Sequence, residues 1–279
     1  MIGRCIAALL ALLPAMAAAA DAPARIVSIN LCADELLLSL ADPAQIVALS
    51  PYAADPTLSF LADKAKAFRH DAADAETVIG LKPDLILAGR FTKRATREML
   101  TRLGYRIVLL DAARSIADSV TQIRDIARLV GRPERGEALV TAIAAARKRV
   151  ETEAAKRPKT TAAVYQRRGY VTGGDTLTGE LLGLAGFINA GGALAGKSGG
   201  FVPLEKIVVT RPDYIVVGSP STEAQDQGSA LLSHPALAEL YPPSRRIVVP
   251  ERLTVCGGPS LPAALVHIAG EAQRVATKP

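Results

Sequence analysis

Tryptophan is absent from the 279 residues, and phenylalanine (5) and tyrosine (6) are few, so any aromatic wall must be built from a handful of positions. Histidine occurs three times. His70, His234 and His267 are far apart and share no ligand-like spacing, which speaks against a bare zinc or manganese site. Of three cysteines, Cys5 lies in the leading apolar stretch, leaving Cys32 and Cys256. Two cysteines allow one disulfide but not a disulfide-rich scaffold. The formal net charge of +6 is modest and spread out, with short basic clusters such as residues 147–149 and 167–168. A nucleic-acid footprint would be a concentrated basic face, so no nucleic-acid partner is expected. There is no G-x-S-x-G elbow or other nucleophile motif, which leaves a hydrolase little support. Beyond residue 20 no apolar run is long enough to span a bilayer.

Residues 1–20 (MIGRCIAALLALLPAMAAAA) combine Arg4, an apolar run and small residues, the pattern of a secretory signal peptide with cleavage after Ala20. As a membrane anchor the run is short, and Pro14 interrupts it. A lipoprotein would need cysteine where Asp21 stands. The mature chain is therefore expected to be soluble and exported. Its remaining length, about 259 residues, suffices for one large or two modest domains, each with its own core.

Strands are expected at residues 25–30 (RIVSIN), 45–50, 85–88 and 105–110, with helices over 35–41, 92–103 and 115–130 and Asp34 as an N-cap. Strand and helix in alternation predict a parallel sheet covered on both faces, and the continuous apolar strands agree. Residues 133–157 read as one long helix. Pro133 suits a first turn, and Leu139, Ala142, Ile143, Ala146 and Val150 form one narrow stripe. The rhythm then restarts, with strands at 162–166, 169–172, 214–217 and 246–249. Helices are expected at 178–185, 204–209, 236–240 and 260–276, and a glycine-rich loop at 189–200.

An internal repeat flanks that helix. DAETVIGLKPDLILAG (74–89) matches VPLEKIVVTRPDYIVVG (202–218). Glu76 falls on Glu205, Pro83 on Pro212, Asp84 on Asp213 and Gly89 on Gly218, always 129 residues apart (205 − 76, 213 − 84). A period near half the chain means two similar lobes rather than a solenoid. The expected fold is α/β: two similar lobes, each a mainly parallel sheet flanked by helices. The expected divisions are residues 1–20 for the signal, 21–131 for the first lobe, 132–158 for the connecting helix and 159–279 for the second lobe.

These motifs, in this order, resemble the periplasmic substrate-binding proteins of ABC importers for vitamin B12, ferric siderophores and haem. RIVSIN, the LKPDLILAG block, the long helix, GELLGLAGFINAGG (179–192), PLEKIVVTRPDYIVVG and the final IVVP strand carry the resemblance over nearly all of the mature chain. It implies two lobes joined by the single helix, a ligand cleft between them and delivery of a metal chelate to a membrane permease. It also implies docking through one surface glutamate per lobe, at Glu76 and Glu205. The stiff connector would permit only a small hinge motion, leaving the cleft largely preformed. No catalysis, cofactor or resident metal is expected, and the protein is expected to be a monomer.

A ligand in such a protein sits where loops at the carboxyl ends of parallel strands face each other. In the first lobe those loops carry Asn30, Cys32, Tyr52, Arg90 and Phe91. In the second they carry Arg167, Arg168, Tyr170, Phe201 and the segment from Cys256. Aromatic faces suit a flat macrocycle, and arginine suits an anionic chelate. The lack of tryptophan departs from relatives with tryptophan-lined B12 clefts and leaves the chelate's identity open. Cys32 and Cys256 have three readings: an inter-lobe disulfide, a ligand or metal contact, or two unrelated small residues. Export favours the disulfide over free thiolates.

GGALAGKS (191–198) fits G-x-x-x-x-G-K-[ST], but a phosphate-binding loop needs a strand before it and a helix after it. Neither is expected here, and a nucleotide-binding protein is rejected. An exported enzyme or metal-chelate chaperone on the same two-lobed fold is the alternative.

Overall fold

The computed structural model describes residues 22–219, Leu232 and residues 234–277; the stretch read as a signal peptide lies outside the described residues. The first half runs β1 (Ile26–Ser28), α1 (Leu31–Leu40), β2 (Ile46–Ala48), α2 (Ala62–Ala65), α3 (Ala75–Leu81), β3 (Leu85–Gly89), α4 (Arg94–Arg102), β4 (Ile107–Leu110) and α5 (Ile116–Leu129). The long helix α6 (Pro133–Ala154) follows. The second half runs β5 (Thr160–Val164), β6 (Tyr170–Val171), α7 (Leu177–Leu184), β7 (Phe187–Asn189), α8 (Gly191–Ala195), β8 (Gly200–Phe201), α9 (Leu204–Thr210), β9 (Tyr214–Val217), α10 (Pro235–Leu240), β10 (Arg246–Val248) and α11 (Leu261–Ala276).

Each half holds a four-stranded, all-parallel sheet, ordered β2-β1-β3-β4 and β7-β5-β9-β10. Counted within each half, and leaving aside the short antiparallel pair β6–β8, the order is 2-1-3-4 in both. The repeat extends to backbone geometry. Lys82 and Arg211, the last residues before Pro83 and Pro212, both cap their helices in the left-handed region, at φ 48° and 47°. Asp84 then accepts the N–H groups of Ala24 and Arg25 beside β1. Asp213 accepts the N–H and hydroxyl of Thr161 in β5, both at 2.7 Å. In each half an aspartate at the foot of the third strand fastens the first.

Alternate strand residues serve opposite sheet faces. Val27, Ile86 and Ala88 pack with Val78 and Leu100 under α3 and α4, whereas Ile26, Leu85 and Leu87 join the large core beneath α1, α5 and α6. The second sheet divides likewise, with Ala163 and Ile215 on one face and Ala162, Val164 and Val216 on the other. The large core runs through α6, α7 and α11 and belongs to both halves.

Three local expectations are corrected and one unassigned strand is added. Helix α1 begins at Leu31, and its N-cap is Asn30, whose Oδ1 accepts the N–H groups of Cys32 and Ala33. Asp34 is instead turned inward, because Ser50 arrives beside it. Helix α6 ends at Ala154 rather than Arg157, since the N–H groups of Lys156 and Arg157 bond only three residues back, to Glu153 and Ala154. Residues 189–200 are not one loop but hold α8 and lead into β8. Phe187–Asn189 is an edge strand, too short to show a period of its own.

Candidate functional site

The carboxyl ends of the parallel strands carry Asn30, Tyr52, Arg90 and Phe91 in the first half, whereas Tyr170 and Phe201 face each other in the antiparallel pair β6–β8. Tyr52 follows β2 and is 58% exposed, Phe91 follows β3 at 87%, and Phe201 in β8 stands at 72%. Arg90, beside Phe91, donates through Nε and Nη2 to the Asp111 carboxylate, with Nη2 2.9 Å from Oδ2. That pairing holds the Asp111 carboxyl below the usual carboxylate range. Phe201 meets the Tyr170 ring edge-on, with centroids 5.6 Å apart, and the Tyr170 hydroxyl donates to the Ser198 carbonyl. Just before them Arg168 holds φ 60°, a conformation costly for a residue with a Cβ. Arg168 and Phe201 line one hollow of about 480 Å³ together with Glu205.

Cys32 and Cys256 form a disulfide, with Cα atoms 5.3 Å apart. It ties the first turn of α1 to the segment before α11, so neither sulfur is a free thiolate. Hydrogen bonds from Arg114 and Ile116, beyond the carboxyl end of β4, also cross between the halves. The Ile116 N–H donates to Glu180 at 2.8 Å, and the Arg114 guanidinium donates to the Asp175 carbonyl at 3.1 Å. Asn30 is spent as a cap, and its amide lies against Gly89. Asp111, Arg114 and Glu180 were missing from the residues read off the sequence. Asp111 could have been found, because it directly follows the fourth strand.

Beneath the Tyr52 loop lie two buried carboxyls. Asp34 accepts the Ser50 N–H at 3.1 Å and hydroxyl at 2.5 Å. Glu35 accepts the Phe60 N–H at 2.8 Å. The two therefore hold both ends of residues 50–60. Burial pushes Asp34 up to about 7 against the hydrogen bonds from Ser28 and Ser50. Burial also raises Glu35 to about 7, and the neighbouring Asp34 charge adds to this.

Glu76 and Glu205 are exposed and each is the second residue of its helix, α3 or α9. The charge of Glu205 is felt by the buried Tyr165 hydroxyl, whose pKa is raised mainly by burial. GGALAGKS does have a strand before it, β7, but its helix lies inside the motif and β8 follows. Gly191 serves packing, since a Cβ there would sit 1.9 Å from the Thr172 carbonyl oxygen, and Gly196 serves a turn at φ 78°. Among the described residues no cluster of His, Cys, Asp or Glu is placed to hold a metal ion, and no helix is long and apolar enough to cross a membrane.

A profile of the periplasmic binding protein family matches residues 26–242. A cobalamin-binding protein of Halobacterium salinarum is 27% identical over 217 residues, which are 76% of this chain and 58% of that protein. The chain thus spans little more than half the length of the curated relatives it matches. The periplasmic heme-binding protein RhuT from Roseiflexus sp. RS-1 superposes with a TM-score of 0.71 at 22% identity, covering 89% of this chain and 99% of RhuT. The periplasmic vitamin B12 binding protein BtuF of Vibrio cholerae gives 0.68 at 17%, covering 92% and 99%. These likenesses establish the two-lobed fold, and the family match agrees with the doubled 2-1-3-4 sheets and the long helix between them. The chain belongs to the periplasmic binding protein family.

Proposed function

We propose that this chain is the solute-binding component of an ABC importer. It captures a metal chelate (cobalamin or another corrinoid, a ferric siderophore or haem) between its two lobes and hands it to a membrane permease. The observation that carries this reading is the exposure of Tyr52, Phe91 and Phe201 at strand carboxyl ends, with Arg90 and Arg168 beside them. Rings and guanidinium groups together fit a flat or anionic chelate. The relatives named above bind cobalamin, heme and vitamin B12, which supports the ligand class.

Tyr52, Arg90, Phe91, Arg168, Tyr170 and Phe201 are the proposed contacts. Asn30 and the Cys32–Cys256 bridge shape the floor between the lobes. The proposed divisions remain residues 21–131, 132–158 and 159–279, after a signal peptide at 1–20 that takes the chain to the periplasm. The protein acts as a monomer and performs no catalysis. Glu76 and Glu205 dock on the permease, because rim charges fix orientation and speed encounter more than they add affinity. An uptake assay in cells tests this. Glu76→Ala with Glu205→Ala should abolish chelate uptake while the purified variant binds chelate as before, and unchanged uptake would remove the docking role.

A further inference from the structure

A groove of about 450 Å³ runs between α6 and α11, within the size range of small-molecule sites. It shares no residue with the proposed chelate contacts. Its apolar side includes Val150, Val266 and Ala269. Its cations are unevenly matched. Lys156 pairs with Glu153 at 2.7 Å, but Arg149 and Arg157 have no carboxylate partner among the described residues. Arg157 gives Nη2 to the Ala185 carbonyl, while its buried Nη1 has no acceptor among the described residues.

Gly270 supplies an independent observation. It lies in the interior of α11, where glycine is the least favourable residue after proline. A Cβ there would meet nothing within 4 Å, so no close approach requires the glycine. Its missing side chain keeps the groove open. From Val266 to Ala276 the α11 face of the groove extends about 15 Å, at 1.5 Å per residue, enough for a medium alkyl chain.

We propose that this groove binds an amphiphilic organic anion, a medium-chain carboxylate whose tail lies along Val150 and Val266. Its carboxylate supplies the acceptor that the exposed Arg149 lacks, and the Arg157 guanidinium adds positive charge beside it. Charge-assisted hydrogen bonds to guanidinium are the stronger kind, and the tail gains from leaving water.

Calorimetric titration of the full chain with octanoate tests the proposal, with acetate and 1-octanol as controls lacking the tail or the charge. Octanoate should bind saturably at one site, about tenfold or more tighter than either control. Gly270→Leu should raise the melting temperature, because leucine favours helix, and abolish octanoate binding. Arg149→Gln with Arg157→Gln should weaken octanoate about tenfold or more and leave weak 1-octanol binding unchanged. Should Gly270→Leu fail to fold, Val266→Glu at an exposed position replaces it and should also lose binding. Absence of saturable octanoate binding overturns the proposal, as does acetate binding equally well or a folded groove-filled variant binding like the parent. No chelate enters this experiment, so its outcome is separate from that of the importer reading.

Discussion

Asp34 and Glu35 titrate inside the protein. In the unfolded chain both release their protons near pH 4, whereas burial raises both folded values to about 7. Between those values the folded state keeps protons that the unfolded state has lost. Stability is therefore highest below pH 4 as far as these groups are concerned, falls as pH rises toward 7 and levels off above it. The surface carboxylates held low by arginine act with the opposite sign, but only near and below pH 4. Thermal melts should give a lower midpoint at about pH 8 than at about pH 5, and Asp34→Asn should narrow the gap; an undiminished gap would rule out Asp34 as its source. Nothing in the sequence marks these acids as buried. An aspartate ahead of an apolar helix has the pattern of a cap, and only the approach of Ser50 from the loop after β2 decides otherwise. Tyr52, Phe91 and Phe201 were legible because each follows a recognisable strand or glycine-rich run.

Helix α6 is held by close approach. A Cβ on Gly136 would lie 2.6 Å from the Ala127 Cβ, so α5 and α6 touch through a position with no side chain. Gly136→Val should force them apart and cost about 1–3 kcal/mol, read as a lower denaturant midpoint. A midpoint within error of the parent would mean the helices separate freely. At this scale the repeat was legible, since the same local chemistry recurs: a glutamate in the first turn, a left-handed cap, a buried proline and an aspartate that fastens the first strand. The edge strand β7 was not, because three residues between Gly186 and Ala190 carry no period. The spacing of the P-loop motif was visible, whereas the use of Gly191 in backbone packing depends on Thr172, about twenty positions away.

Across the whole molecule the lobes are joined by α6, by a shared core and by a covalent bridge between residues 224 positions apart. Closing so long a loop constrains the unfolded chain, and Cys32→Ser with Cys256→Ser should lower stability by about 2–4 kcal/mol. A smaller loss would mean the native bridge is strained. The sequence left three readings for these cysteines, because proximity across two lobes has no local signature. It did show the lobes and their connector, through the constant 129-residue offset. The chelate between the lobes remains the central claim. Calorimetric titration of the purified chain with a corrinoid, haem and a ferric siderophore tests it most directly. One of the three should bind saturably, one molecule per chain, and Phe91→Ala with Phe201→Ala should weaken that binding about tenfold or more. Absence of saturable binding to all three would contradict the claim, and binding untouched by the double substitution would place the ligand elsewhere.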